Sequence, residues 1–321
     1  MEEDRRLFIK ATAATAAGVG LLSHARLVST AHSMTVKVLK EGMPKRRLGK
    51  TGFKVGLFSL GGEATVEQRE RQQDAAEIIN RAIDLGVNYI DTSPAYGSGG
   101  SETNIGTVMK KRRDEVFLAT KTHDRTYDGT LRLFEQSLNR LQTNFIDLYQ
   151  VHNVRVDEDV TGALGKNGAV RAIERLRDEG AVRCIGITGH RDPGVLLRGI
   201  REYDFDAVLL SLNAGDIHYK PFQKELLQTA VEKDMGIIAM KVTAIGRIFR
   251  NEGITSMSDA LGYVYSFPVS TAIVGISTVE ELEENVRIAR EFSDFSDDKL
   301  AQLESLTKPY YRDANFFKFH W

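Results

Sequence analysis

The chain has 321 residues, 42% of them apolar and 27% charged, with a formal net charge of −1 at pH 7. These are the proportions of a soluble globular protein, and the lack of any basic face argues against a nucleic-acid partner. A lone cysteine, Cys184, excludes an internal disulfide, a cysteine-ligated iron–sulfur cluster and a cysteine-held structural zinc, and leaves packing as its expected role.

Residues 1–31 do not read as part of a fold. Arg5 and Arg6 in DRRLFIK precede the mildly apolar ATAATAAGVGLLS, a stretch too short and too rich in alanine to anchor in a bilayer. The layout is that of a secretory signal, and the paired arginines followed by Phe8 and Lys10 resemble a twin-arginine signal. Cleavage is expected near residue 25 or 31, where small residues suit a signal peptidase. The mature protein would then be extracytoplasmic, without a stable membrane span, and the twin-arginine export machinery would be a transient partner. A cytoplasmic protein with an amphipathic N-terminal helix is the plainer alternative. A polar linker at 32–46 leads into a domain at 47–321.

That domain opens with RRLGKTGFKVGLFSLGG, a hairpin turning at Lys50-Thr51-Gly52, followed by a strand at about 55–60. In QDAAEIINRAIDLG, Ala75, Ile78, Ile79, Ala82 and Ile83 recur at helical spacing before a stop at Gly86. Strand then alternates with helix. Strands are predicted at 87–91, 116–120, 145–151, 182–187, 207–212, 236–240 and 271–276, and helices at 102–111, 130–141, 170–179, 192–202, 221–233, 256–266 and 279–291. Short apolar strands alternating with helices imply a parallel sheet covered on both faces. About eight such units favour a closed (β/α)8 TIM barrel over a doubly wound open sheet. No G-x-G-x-x-G follows the first strand, which also counts against the open sheet.

In a barrel of this kind the strand C-termini form the active mouth. Asp91 ends one predicted strand, Tyr96 follows it in a loop rich in Pro and Gly, Lys121 ends VFLATK, and His152 ends FIDLYQVH. A phenol is a weak acid, with an unperturbed pKa of about 10. A neighbouring ammonium is expected to lower that value, and an aspartate to fix the ammonium in place. A histidine can orient a substrate oxygen toward the acid. The group suits protonation of a carbonyl oxygen as hydride reaches its carbon, with Tyr96 the acid, Lys121 its tuner, Asp91 the lysine's partner and His152 the orienting donor.

LGKTGFKVGLFSLGG, GVNYIDTSPAYGSGGSE, ATKTH, IDLYQVHNV and VGISTVEELEENV together resemble the aldo-keto reductases. The resemblance runs from about Arg47 to Glu291 and implies a (β/α)8 barrel that binds NADP(H) or NAD(H) extended across its mouth. It further implies direct hydride transfer to an aldehyde or ketone, with no metal required. By the same resemblance Thr188 and Asn213 would hold the carboxamide, with Gly189 in place of the usual asparagine, and Met240 would stack on the nicotinamide. Lys241 and Arg247 would meet the pyrophosphate, and Ser277, Thr278, Glu281 and Asn285 would lie on the adenosine-phosphate segment. Glu280 and Glu281 stand where a lysine or arginine commonly favours NADPH, so weak discrimination between the two cofactors is expected.

Three other readings stay open on the sequence. His123, His190 and His218 also follow predicted strands, and His152, His190 and His218 would be ligands in a metal-dependent barrel hydrolase. A cofactor-binding partner protein without turnover is another. An enzyme that keeps its cofactor and alternates between an alcohol donor and a carbonyl acceptor is the third. The aromatic tail, with Tyr310, Tyr311, Phe316, Phe317, Phe319 and Trp321, either packs on outer helices or folds over the barrel mouth.

Overall fold

Within residues 42–320, which the computed structural model describes, the chain begins with a hairpin. Strands β1 (Lys45–Arg47) and β2 (Lys54–Gly56) pair antiparallel, Arg46 opposite Val55. Between them Gly52 takes the left-handed conformation at φ 73°, which makes Lys50-Thr51-Gly52 the turn. The hairpin therefore starts inside the stretch expected as linker. The stretch expected to be an export signal, the rest of that linker up to residue 41, and Trp321 lie outside the described residues.

The strand expected at 55–60 is two strands. Leu57 separates β2 from β3 (Phe58–Ala64), and its N–H bonds the Pro44 carbonyl at 2.8 Å, so the chain leaves the hairpin there and enters a second sheet. That sheet continues through β4 (Tyr89–Asp91), β5 (Phe117–Thr122), β6 (Ile146–Val151), β7 (Val182–Gly189), β8 (Ala207–Ser211), β9 (Gly236–Met240) and β10 (Thr271–Ile276). Each pairs parallel with its neighbour in chain order, and β10 closes on β3. Closure excludes the open-sheet alternative: the domain is a (β/α)8 barrel.

Alternation at period two decides which side chains enter the barrel. Tyr89, Phe117, Ala119, Leu148, Leu209, Ile238 and Ile273 pack inside it. Leu48 and Val55 of the hairpin join the same cluster, both fully buried, with the Phe53 ring tilted against Phe117 at 4.6 Å between centroids. The hairpin thus plugs the end of the barrel opposite the strand C-termini. The outward positions, Ile90, Leu118, Tyr149, Ile185 and Leu210, belong to the larger core under the helices.

Helix α1 (Gln72–Asp84) buries the five apolar residues that its periodicity predicts. The covering layer continues with α2 (Gly100–Arg112), α3 (Tyr127–Leu141), α4 (Asp157–Leu164), α5 (Ala169–Asp178), α6 (Pro193–Glu202), α7 (Glu225–Glu232), α8 (Met257–Tyr265) and α9 (Val279–Glu291). Capping sets several starts: Thr126, Asp192, Ser256 and Thr278 each accept a backbone N–H of their helix's first turn, and Pro193 opens α6. After the barrel come α10 (Asp297–Thr307), α11 (Tyr311–Ala314) and α12 (Phe316–His320). Helix α4 is not among the predicted elements, because DEDVTGAL is two turns long and shows no full apolar stripe. No helix among the described residues is long and apolar enough to cross a membrane.

Candidate active site

Asp91 ends β4, Lys121 is the next-to-last residue of β5 and His152 follows β6, and because these strands are neighbours the three side chains converge on one sector of the mouth. Asp91 and Lys121 are fully buried and form an ion pair. The Lys121 ammonium also donates to the Thr92 carbonyl at 2.8 Å and reaches the Tyr96 hydroxyl at 3.3 Å. Tyr96 comes from the loop after β4, turned back by a bond from its N–H to the Ser93 carbonyl at 3.1 Å. The turn needs Gly97, which has φ 54° and where a Cβ would lie 2.1 Å from the Glu67 carbonyl oxygen. The His152 ring stands edge-on to Tyr96 with centroids 6.0 Å apart, and its Nδ1 is 3.4 Å from Ser93 Oγ. The four residues singled out from the sequence are thus brought together.

Their electrostatics differ from expectation in one respect. Burial holds the Tyr96 hydroxyl well above its ordinary pKa, and Glu63, Asp91 and Glu67 push in the same direction. The expected lowering by Lys121 is outweighed, because the phenol is desolvated among three carboxylates. Tyr96 is therefore firmly protonated at rest. Burial, aided by Lys121 and His190, holds His152 well below the usual histidine range, so the ring is neutral and keeps one N–H to donate. For Asp91, burial raises the carboxyl while Lys121 and Gln150 pull it back.

Beside the tetrad lies a cavity of about 280 Å³ between the ends of β3, β9 and β10. Asp91 and Tyr96 form part of its wall, together with Gly61, Gly62, Glu63, Glu67, Met240, Lys241, Val242, Ile273 and Gly275. Lys241 pairs with Glu63 across it at 3.7 Å. Met240, Val242 and Ile273 give the cavity an apolar stretch that suits a nicotinamide ring, and Lys241 is the cation of a wall that also carries Glu63 and Glu67.

Of the residues assigned to the cofactor by resemblance, Met240 and Lys241 line this cavity, and the others lie outside its lining. Thr188 is buried, its Oγ1 accepting the Asn153 N–H at 2.7 Å. Asn213 donates to the Lys241 and Ala314 carbonyls, both at 3.1 Å, and accepts the Gly215 N–H. Arg247 sits 4.2 Å over the Phe316 ring. Ser277, Thr278 and Glu281 form the start of α9, where the Glu281 carboxylate accepts the Ser277 N–H at 2.8 Å, and Asn285 is buried one turn on. Residues that the sequence reading did not select are Glu63 and Glu67, on the cavity wall, and Gln150, behind Asp91. The signal for Gln150 was a polar residue inside an apolar strand, at the inward period-two position before His152.

The histidines of the hydrolase reading are scattered. His218 Nε2 meets the Glu304 carbonyl at 2.8 Å, His190 packs edge-on against Phe317, and His123 is exposed. Among the described residues no three His, Cys, Asp or Glu side chains gather as a metal site. Beyond α10, which the Lys299–Asp259 pair ties to α8, the tail crosses to the mouth. The Asn315 amide donates to the Gly215 carbonyl at 2.7 Å, and the Lys318 ammonium is buried against Asp216 in the segment after β8.

The model of the aldo/keto reductase family matches residues 54–256. The chain belongs to the aldo/keto reductase family. This aldo/keto reductase is 25% identical over 312 residues to an uncharacterized oxidoreductase of Bacillus subtilis, covering 83% of this chain and 97% of that one. It is 27% identical over 312 residues to the L-galactose dehydrogenase of Arabidopsis thaliana, with 82% and 94% covered. Among solved structures, the holo form of an aldo-keto reductase from Bacillus halodurans superposes with a TM-score of 0.70 at 23% identity, covering 82% of this chain and 96% of that one. One from Klebsiella pneumoniae in complex with NADPH gives 0.66 at 22%, with 82% and 95% covered. At those identities the two structures attest the barrel alone.

Proposed function

We propose that this aldo/keto reductase reduces an aldehyde or ketone to its alcohol, or runs the reverse, with Tyr96 as the general acid or base. The observation that carries the reading is the Tyr96 hydroxyl, 3.3 Å from the Lys121 ammonium and on the wall of the cavity. A bound NADPH or NADH would supply the hydride. Met240 and Lys241, which line the cavity, would meet its nicotinamide and its pyrophosphate respectively.

The chain's own groups handle the proton. The neutral His152 donates a hydrogen bond to the carbonyl oxygen and turns it toward Tyr96. As negative charge grows on that oxygen it becomes an alkoxide, whose conjugate acid is about as weak as water, so even a phenol with a raised pKa gives up its proton. The phenolate left behind forms next to the Lys121 ammonium, which is already in place and needs no rearrangement. Asp91 keeps that ammonium fixed.

The test is dinucleotide binding followed by fluorescence, with NADPH and NADH in parallel, and reduction of 4-nitrobenzaldehyde by wild type and Tyr96→Phe. Both proteins should bind, and Tyr96→Phe should lose about 10²–10⁴-fold in kcat. A Tyr96→Phe enzyme within threefold of wild type overturns the assignment of the acid.

We also infer export from Arg5 and Arg6. A fusion of residues 1–46 to a reporter that must fold before transport should leave the cytoplasm, and Arg5→Lys with Arg6→Lys should retain it. Equal export of both fusions would contradict the signal reading.

A further inference from the structure

Gln150 is fully buried on β6, in register with Lys121 on one side and Gly186 on the other. Its side chain lies across Gly186, where a Cβ would come within 2.8 Å of Gln150 Cγ. Space for the amide is therefore opened by the neighbouring strand. One end of that amide is in use: Nε2 donates to Asp91 Oδ2 at 3.0 Å. The other end is not, since Oε1 is buried with no hydrogen-bond partner. An orphaned buried acceptor costs stability, and an apolar residue of similar volume would avoid that cost. A packing role does not account for a glutamine here.

We propose that Gln150 is a positioning residue for the reaction: it clamps Asp91 Oδ2 and keeps the carboxylate turned so that Oδ1 holds Lys121 against Tyr96. The inference rests on the reductase reading. The groups facing Asp91 are Lys121 from β5, Gln150 from β6, Tyr89 on its own strand with a hydroxyl at 3.5 Å, and Tyr96 and Glu63 across the cavity. Burial, and to a lesser degree Glu63, favour the protonated carboxyl, and Lys121 and Gln150 favour the carboxylate. Without the Gln150 N–H, Oδ2 keeps only the long contact from the Tyr89 hydroxyl at 3.5 Å. Asp91 then takes a proton at a higher pH, and Lys121 loses its anchor there.

The experiment is the pH profile of kcat/KM for 4-nitrobenzaldehyde, together with thermal midpoints, for wild type, Gln150→Leu and Gln150→Glu. Gln150→Leu should lose tenfold or more in kcat, with the acidic limb moved up by about one pH unit. Gln150→Glu should behave in the opposite sense. While protonated, its carboxyl donates to Asp91 and retains activity at low pH; once ionised it repels Asp91, and activity falls as pH rises. Gln150→Glu also keeps the idea testable if Gln150→Leu folds poorly. Wild-type kcat and an unshifted limb in Gln150→Leu overturn the proposal, as does a loss of activity that follows the loss of stability with both profiles unchanged. A wild-type enzyme inactive on every carbonyl overturns the reductase reading and this inference with it. An active wild type with unaltered variants overturns the inference alone.

Discussion

The Lys121 ammonium spends its three protons on three different groups: the Asp91 carboxylate, the Thr92 carbonyl and the Tyr96 hydroxyl. Its charge is thus aimed at Tyr96 by two partners that do not react. Replacing it should separate stability from catalysis. Lys121→Met leaves Asp91 buried without its counter-charge and should cost about 3–5 kcal/mol. The pair Lys121→Met with Asp91→Asn should recover most of the thermal midpoint while kcat stays at least a hundredfold down. Recovery of activity along with stability would show that the charge beside the phenol is dispensable.

A second buried pair, Asp216 with Lys318, ties the tail to the mouth. The Lys318 ammonium is bound by Asp216 and by the Tyr219 and Lys220 carbonyls, and both charged side chains are almost fully enclosed. Lys318→Met should therefore destabilise by about 3–5 kcal/mol. For a tail that merely covers the mouth, removing residues after Tyr311 would alter substrate preference more than stability. With the clamp in view, truncation should lower both, and Asp216→Asn combined with the truncation should restore the melting temperature but not the preference. Thermal melts and kcat/KM ratios for a small and a bulky aldehyde on the three proteins decide it.

Much of this site was legible because barrel strands are short, apolar and buried on both faces, so the polar residue that closes each run marks the mouth. Asp91, Lys121 and His152 were found that way, and Tyr96 by the glycine-rich loop that follows β4. Glu63 and Glu67 were not. Glu63 falls inside a strand whose end the apolar run does not mark, because Gly61 and Gly62 interrupt it. Glu67 lies in a turn whose fold depends on Gly97 thirty residues on. The direction of the Tyr96 shift was missed for a related reason: the pull of Lys121 can be read from a motif, but burial among Glu63, Asp91 and Glu67 is a property of the assembled mouth.

Cofactor preference should be weak. The first turn of α9 offers the backbone N–H groups that an anion would take, yet the exposed Glu281 carboxylate already accepts the Ser277 N–H. A 2′-phosphate there would meet a like charge. NADPH should be favoured over NADH by less than a hundredfold in kcat/KM, and Glu281→Lys should raise the ratio by about tenfold or more. A wild-type ratio above a hundred would contradict this reading.

The charge of the cavity wall also bears on what the enzyme will accept. Glu67 is half-buried and accepts the backbone N–H groups of Ala64 and Gly97, which sets its carboxylate beside the Tyr96 loop. Glu63 faces the same hydroxyl and is paired with Lys241, so this part of the wall carries an excess of negative charge. Two like charges 4–8 Å apart repel by roughly 2–4 kcal/mol at an effective dielectric constant near 20, and solvent screening at a partly open cavity reduces that. A tenfold discrimination needs only about 1.4 kcal/mol. An anionic aldehyde such as succinic semialdehyde should therefore be reduced at least tenfold less efficiently than butanal. Burial and Glu63 raise the Glu67 pKa, so the penalty is complete well above that value and fades as pH falls through it. Glu67→Gln should raise kcat/KM for succinic semialdehyde severalfold, leave butanal within twofold, and abolish the pH dependence of their ratio. Equal efficiency for the two aldehydes in wild type at pH 8 would mean that the carbonyl enters from a side of the mouth that these carboxylates do not face.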